Sequence, residues 1–141
     1  MIDKMTFDVL KSSVMMARET AKATPGDGAK LRVSALFPKW RSGAHTEGEI
    51  YNAGGQTWEC FREYDNAVYP DVNPDNVAWY TFNRPLHGSS PETAREFVTV
   101  TGAHDIYRAG EYAIYDGEIY ECVQDTSYSP VTYPQAWKKH E

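Results

Sequence analysis

Seven glutamates, Glu47, Glu49, Glu59, Glu63, Glu111, Glu118 and Glu121, could in principle supply the facing pair of carboxylates that glycoside hydrolysis needs. Short strands offer no evident deep cleft to hold that pair around a sugar. His104-Asp105 has the residue types of a base and its orienting acid, yet neighbours on an extended chain point to opposite sides. The remaining histidines, His45, His87 and His140, are scattered. Cys60 and Cys122 are too few for a disulfide framework and far from zinc-site spacing, and no His or Asn stands at a fixed spacing from them as beside a thiol nucleophile. The expectation is therefore a protein that is not an enzyme, with no cofactor and no metal, in which both cysteines are small buried hydrophobes.

Ten Tyr, four Trp and five Phe stand out in a chain with few Leu and Ile. Aromatic rings bury a large area each and also make flat stacking faces, so this bias suits a small β-domain core and a sugar-binding face equally. The net charge of −6 repels phosphate backbones and anionic lipid, and no run of basic residues offsets it, so nucleic acid is not an expected ligand. No apolar stretch is long enough to span a bilayer, which excludes membrane insertion as a helix. Asp3, Lys4, Asp8, Lys11, Arg18 and Glu19 interrupt the first twenty residues, so they do not read as a secretory signal.

The elements that would position these residues follow from periodicity. Phe7, Leu10, Val14, Ala17 and Ala21 recur at spacings of three and four, which predicts a helix over the first twenty or so residues, with Asp3 or Thr6 as its cap. Such a stripe serves either docking onto the rest of the chain or self-association. Thr24-Pro25-Gly26-Asp27-Gly28 ends the helix, and Leu31 to Trp40 reads as a short strand or extended lead-in.

The chain then repeats itself. Gly48 to Cys60 lies over Gly110 to Cys122 at a constant offset, matching Gly, Glu, Gly, Glu and Cys in place, with Trp58 over Tyr120. Each copy goes on to two prolines and a tryptophan: Pro70, Pro74 and Trp79, then Pro130, Pro134 and Trp137. Within each copy a small-residue turn, at Ala53-Gly54-Gly55 or Tyr115-Asp116-Gly117, separates strand-like runs and predicts a hairpin, with Ala113 to Tyr115 pairing with Glu118 to Cys122. Trp58, Tyr120, Trp79 and Trp137 are expected in the cores of these units. Residues 83–103 read as a linker in which Pro91 to Glu96 could make one helical turn. The predicted class is mainly β with an N-terminal α-helix: helix 1–28, first module 29–82, linker 83–103, second module 104–141.

The second copy's Gly110-Glu111, Tyr115, Gly117, Tyr120, Cys122-Val123-Gln124, Tyr128-Ser129-Pro130, Pro134 and Trp137 closely resemble the chitin-binding modules of carbohydrate-binding families 5 and 12. The arrangement of helix, Val33 to Trp40 segment and two modules is also similar to small prophage and tail-associated proteins of bacteriophages. What this resemblance implies is a pair of few-stranded antiparallel β-modules that bind a polysaccharide or cell-wall glycan without cleaving it. The stacking aromatic two residues before the first proline corresponds to Tyr128. The first copy has Val68 there, with Tyr69 displaced by one. Tyr133 and Tyr80 are further candidates for sugar contact. A tail assembly adaptor, docking other phage tail proteins through the same modules, is the alternative. The implied setting is synthesis in a bacterial cytoplasm followed by display on the virion or release outside the cell, as a homo-oligomer for which a trimer is expected by analogy with fibrous tail proteins.

Overall fold

The computed structural model describes Ser12, Ser13, Met15, Met16, Arg18 and residues 26–74 and 79–141, the side chain of Trp79 excepted. The five early residues are helical. The apolar stripe of Phe7, Leu10, Val14, Ala17 and Ala21 and its caps lie outside the described residues. No helix among the described residues is long and apolar enough to cross a membrane.

After Gly26 the chain forms α1 (Asp27–Arg32), followed by a 3-10 turn at Ser34–Leu36. This differs from the expected helix end at Gly26 to Gly28 and extended chain from Leu31: Asp27 to Arg32 are helical. Tertiary packing decides the matter. Leu31 is buried with Phe37, Ile50 and Leu86, and Gly28 sits so close to Ser89 that an added Cβ would lie 1.7 Å from its Oγ. From Phe37 onward the lead-in is extended as expected, and Trp40 N–H donates to Asn52 O at 2.9 Å.

The rest is mainly β, in several small and largely antiparallel sheets. Strands β1 (Ala44–His45), β2 (Ile50–Ala53), β3 (Gln56–Cys60), β4 (Tyr64–Asp65) and β5 (Asn83–Pro85) make the first module, as a β2-β3-β5 sheet beside a β1-β4 ribbon. Strands β6 (Arg95–Glu96), β7 (Tyr112–Tyr115), β8 (Glu118–Cys122) and β9 (Trp137–Lys139) make the second, in the order β6-β7-β8-β9 with β6 parallel to β7. Both hairpins turn through two consecutive residues of positive φ, Gly54 (59°) with Gly55 (77°) and Asp116 (51°) with Gly117 (77°). That is the type I′ geometry that a right-twisted hairpin favours, and it explains the Asp-Gly and Gly-Gly pairs.

The repeat is structural as well as sequential. Gly48 N–H donates to Cys60 O as Gly110 N–H does to Cys122 O, and Cys60 N–H to Glu49 O as Cys122 N–H to Glu111 O. The Cys60 thiol donates to Arg62 O at 3.0 Å and the Cys122 thiol to Gln124 O at 3.1 Å. His45 bridges Tyr64 where Tyr107 bridges Thr126. The repeat also reaches further toward the N-terminus than the sequence reading placed it. Phe97 N–H donates to Ile114 O just as Trp40 N–H does to Asn52 O, so Trp40 and Phe97 occupy equivalent places.

Two sequence expectations change at the C-terminal ends of the modules. Cys122 pairs with Trp137, whereas Cys60 pairs with Asn83 and not with a residue at Trp79. Trp79 stands instead in a 3-10 turn, Trp79–Thr81, ahead of β5, because the connection from β3 to β5 is longer than that from β8 to β9. Residues 83–103, read as a linker, instead supply β5 and β6, with a 3-10 turn at Pro91–Thr93 between them and Leu86, His87 and Gly88 buried. The modules are thus packed on each other: Gln56 Nε2 donates to Glu96 O at 2.9 Å, Tyr112 N–H to Gly88 O at 2.9 Å, and Phe61 stacks on His104 at 3.9 Å between centroids.

Candidate functional site

Tyr128 is 58% exposed and sits in the loop between β8 and β9. Its loop is held from beneath. Trp137, buried in the second core, donates its indole N–H to Tyr128 O at 3.0 Å, and Tyr128 N–H donates to Thr126 Oγ1 at 3.0 Å. The Tyr133 ring lies 6.3 Å away, tilted by 59°, and packs against the same core. Ser129 Oγ donates to Thr132 Oγ1 and accepts from Thr132 N–H, so the intervening turn is tied as well. Two of the four tyrosines singled out from the sequence are therefore brought together on one pinned loop.

In the first module Tyr69 is 48% and Tyr80 51% exposed. Tyr69 rests on Phe82 with centroids 5.2 Å apart. Trp58 is buried, with its indole N–H on Ala53 O at 3.0 Å, and Tyr120 is partly buried against the second core, as their alternation with the cysteines predicted. Trp137 is likewise a core residue; the side chain of Trp79 lies outside the described residues. Cys60 and Cys122 are buried and free. Burial raises both thiols, that of Cys122 to about 11, which leaves them in the unreactive thiol form near neutral pH.

The histidines and carboxylates have structural tasks. Asp105, which is buried, accepts from Thr101 N–H, Gly102 N–H and Thr101 Oγ1, while His104 is exposed and stacked on Phe61, so they make no base and orienter. Arg84 joins Asp27 on α1 to Glu59 on β3, donating to both Asp27 oxygens and to Glu59 Oε1 at 3.0 Å. Burial opposes ionisation of Asp27, but the Arg84 hydrogen bonds and charge, with the His87 backbone N–H, outweigh it and hold the carboxyl below its ordinary value. His87 stacks on Tyr107 with centroids 3.7 Å apart, and its Nδ1 lies 3.1 Å from Glu111 Oε1. Asp27, His87 and Glu111 place ligand-capable atoms within 4.8 Å of one another, but the guanidinium of Arg84 already fills the cation's place on Asp27.

The first module also carries a concave site that the sequence does not reveal. A groove of about 500 Å³ on the first module is lined by Arg18, Lys39, Trp40, Arg41, His45 and Glu49 among others. The sequence holds no basic run, yet the fold gathers three basic residues, Arg18, Lys39 and Arg41, in one lining. Lys39 and Arg41 flank Trp40 in sequence, and Arg18 arrives from a helical segment far back along the chain, so only folding assembles the three. Behind Trp40 stands a column of rings: Trp40 on His45 at 5.7 Å, His45 on Tyr64 at 4.8 Å, Tyr64 on Phe82 at 5.0 Å. The Lys39-Trp40-Arg41 triplet was the one sequence signal that could have found it.

Compared with protein-family models and with curated proteins, the chain matches none.

Proposed function

We propose that the chain is a non-catalytic carbohydrate-binding protein, a tandem of chitin-binding-like β-modules that recognises a cell-surface or cell-wall polysaccharide through exposed tyrosines. The observation that carries this reading is Tyr128, an exposed ring on a loop tied at its own carbonyl by a buried tryptophan and at its own amide by a threonine. A sugar's C–H face gains apolar contact on such a ring with little left to order, so weak binding at one site is affordable and a second module adds through effective concentration. In the first module Tyr69, resting on Phe82, and Tyr80 are the corresponding candidates. The sequence resemblance supplies the setting, a phage or prophage protein displayed on a virion tail.

One observation favours a second reading. Val131, in the same loop as Tyr128, is 70% exposed and apolar, as a protein-docking surface of a tail adaptor would be. Retention of the purified protein on insoluble chitin and on bacterial cell walls, lost on Tyr128→Ala, supports glycan recognition. No retention of well-folded protein on either matrix overturns it in favour of the adaptor.

A further inference from the structure

We infer that the groove beside Trp40 is a binding site for an acidic polysaccharide, one carrying carboxylate or phosphodiester groups along a sugar chain. This deepens the carbohydrate-binding reading by naming the ligand's charge, and it places a second site on the module where the family-like aromatic position is Val68 rather than a ring.

Three features argue for it. The first is charge: Arg18, Lys39 and Arg41 line one groove in a chain of net charge −6, and among the described residues none of the three forms an ion pair. The Arg18 side chain is directed by donating to Leu36 O, which anchors it without neutralising it. Among the described residues Glu49 is the one carboxylate in the lining, and it is already engaged by the His45 ring at 3.1 Å and Thr46 N–H at 3.1 Å. Three cations lining one groove, Arg18 anchored and Lys39 and Arg41 exposed to solvent, attract an anion in preference to a neutral chain.

The second feature is the platform. Trp40 is half-buried, its indole N–H donates to Tyr64 OH at 2.8 Å, and the ring is backed by His45. His45 is itself pinned, its Nε2 2.7 Å from Arg41 O. A ring held this way does not need ordering when a pyranose is laid against it. At about 500 Å³ the groove falls in the size range of small-ligand sites.

The third feature is the contrast between modules. Phe97 takes the place of Trp40 in the second module, and its neighbours are Glu96 and Val98 instead of Lys39 and Arg41. The second module thus keeps the aromatic and lacks the cations, while the first has Val68 two residues before its first proline and its exposed tyrosines, Tyr69 and Tyr80, elsewhere. The two modules divide the work: a neutral stacking contact at Tyr128 and a charged one beside Trp40.

The test is calorimetry on the full chain with oligogalacturonate, its methyl ester, a phosphodiester-linked hexose polymer and a single-stranded oligonucleotide, each also run on Lys39→Gln/Arg41→Gln and on Tyr128→Ala. Oligogalacturonate or the phosphodiester-linked hexose polymer should bind, more weakly as salt rises. The Lys39→Gln/Arg41→Gln variant should bind it at least tenfold more weakly at an unchanged melting temperature, while Tyr128→Ala binds it like the wild type. If oligogalacturonate is the ligand, its methyl ester should lose at least tenfold. Binding of neither acidic polymer, equal binding by the double variant, or tighter binding of the oligonucleotide would overturn it. Loss of cell-wall retention on Tyr128→Ala bears on the proposed function, and an acidic glycan still held through Lys39 and Arg41 in that variant keeps this site apart from it.

Discussion

Asn83 holds in the first module the place that Trp137 holds in the second: each pairs, across the sheet, with its module's buried cysteine. The neighbouring position compensates for the difference in volume. Tyr51 faces the core where the second module has Ala113, and its hydroxyl donates to Asn83 Oδ1 and pairs with Tyr64 OH at 2.9 Å. One module fills its centre with a tyrosine and hydrogen bonds, the other with an indole.

Trp137→Ala should therefore cost about 3–5 kcal/mol, the usual range for emptying an aromatic core site, because Ala113 leaves nothing nearby to take up the space. Trp137→Phe should cost less but release the Tyr128 carbonyl. Chemical denaturation reads the first effect, and proteolysis of the loop around residues 127–133 reads the second.

Gly117→Ala should destabilise by about 1 kcal/mol through backbone strain alone. Its φ is 77°, and no atom lies within 4 Å of the added Cβ, so the melting temperature should fall without any change in glycan retention.

Breaking the Arg84 bridge by Arg84→Met should cost roughly 3 kcal/mol, as removing one partner of a mostly buried pair does. The pH dependence has a definite sign. Asp27 titrates below its ordinary value in the folded protein, so its contribution is complete above that value and is lost as pH falls through the lower, folded one. In Arg84→Met the acid limb of the stability curve should flatten, which urea titrations between pH 2.5 and 5 would measure.

Cys60 and Cys122 should resist a thiol reagent at pH 8 in the folded protein and react together after unfolding in guanidinium, because burial raises both thiols. Rapid reaction of either in the native state would contradict their placement in the cores.

Local signals made the hairpins legible in the sequence: positive-φ turn residues and matched glycines fix a type I′ turn wherever they occur. The burial of Trp58 and Trp137 and of both cysteines followed from alternation and from the need of a small sheet for large apolar side chains. What escaped was set by distant contacts. Asp27 to Arg32 became a helix because Leu31 and Gly28 meet Leu86 and Ser89, and Asn83 to Pro85 became a strand because β3 offers it an edge. The equivalence of Trp137 and Asn83 was hidden by the longer β3 to β5 connection, which left Trp79 as a false match for Trp137. Tyr128 and Tyr133 were named from the sequence and meet in the structure, whereas the basic groove needs Arg18 and Lys39 from different segments.

The most direct test of the account is retention on insoluble chitin and on purified bacterial cell walls, measured for the wild type beside Tyr128→Ala. Wild-type protein should be retained on at least one matrix, and Tyr128→Ala, equally well folded by circular dichroism, should pass through. Wild-type protein that is folded and retained on neither, or a variant retained as well as the wild type, would contradict it.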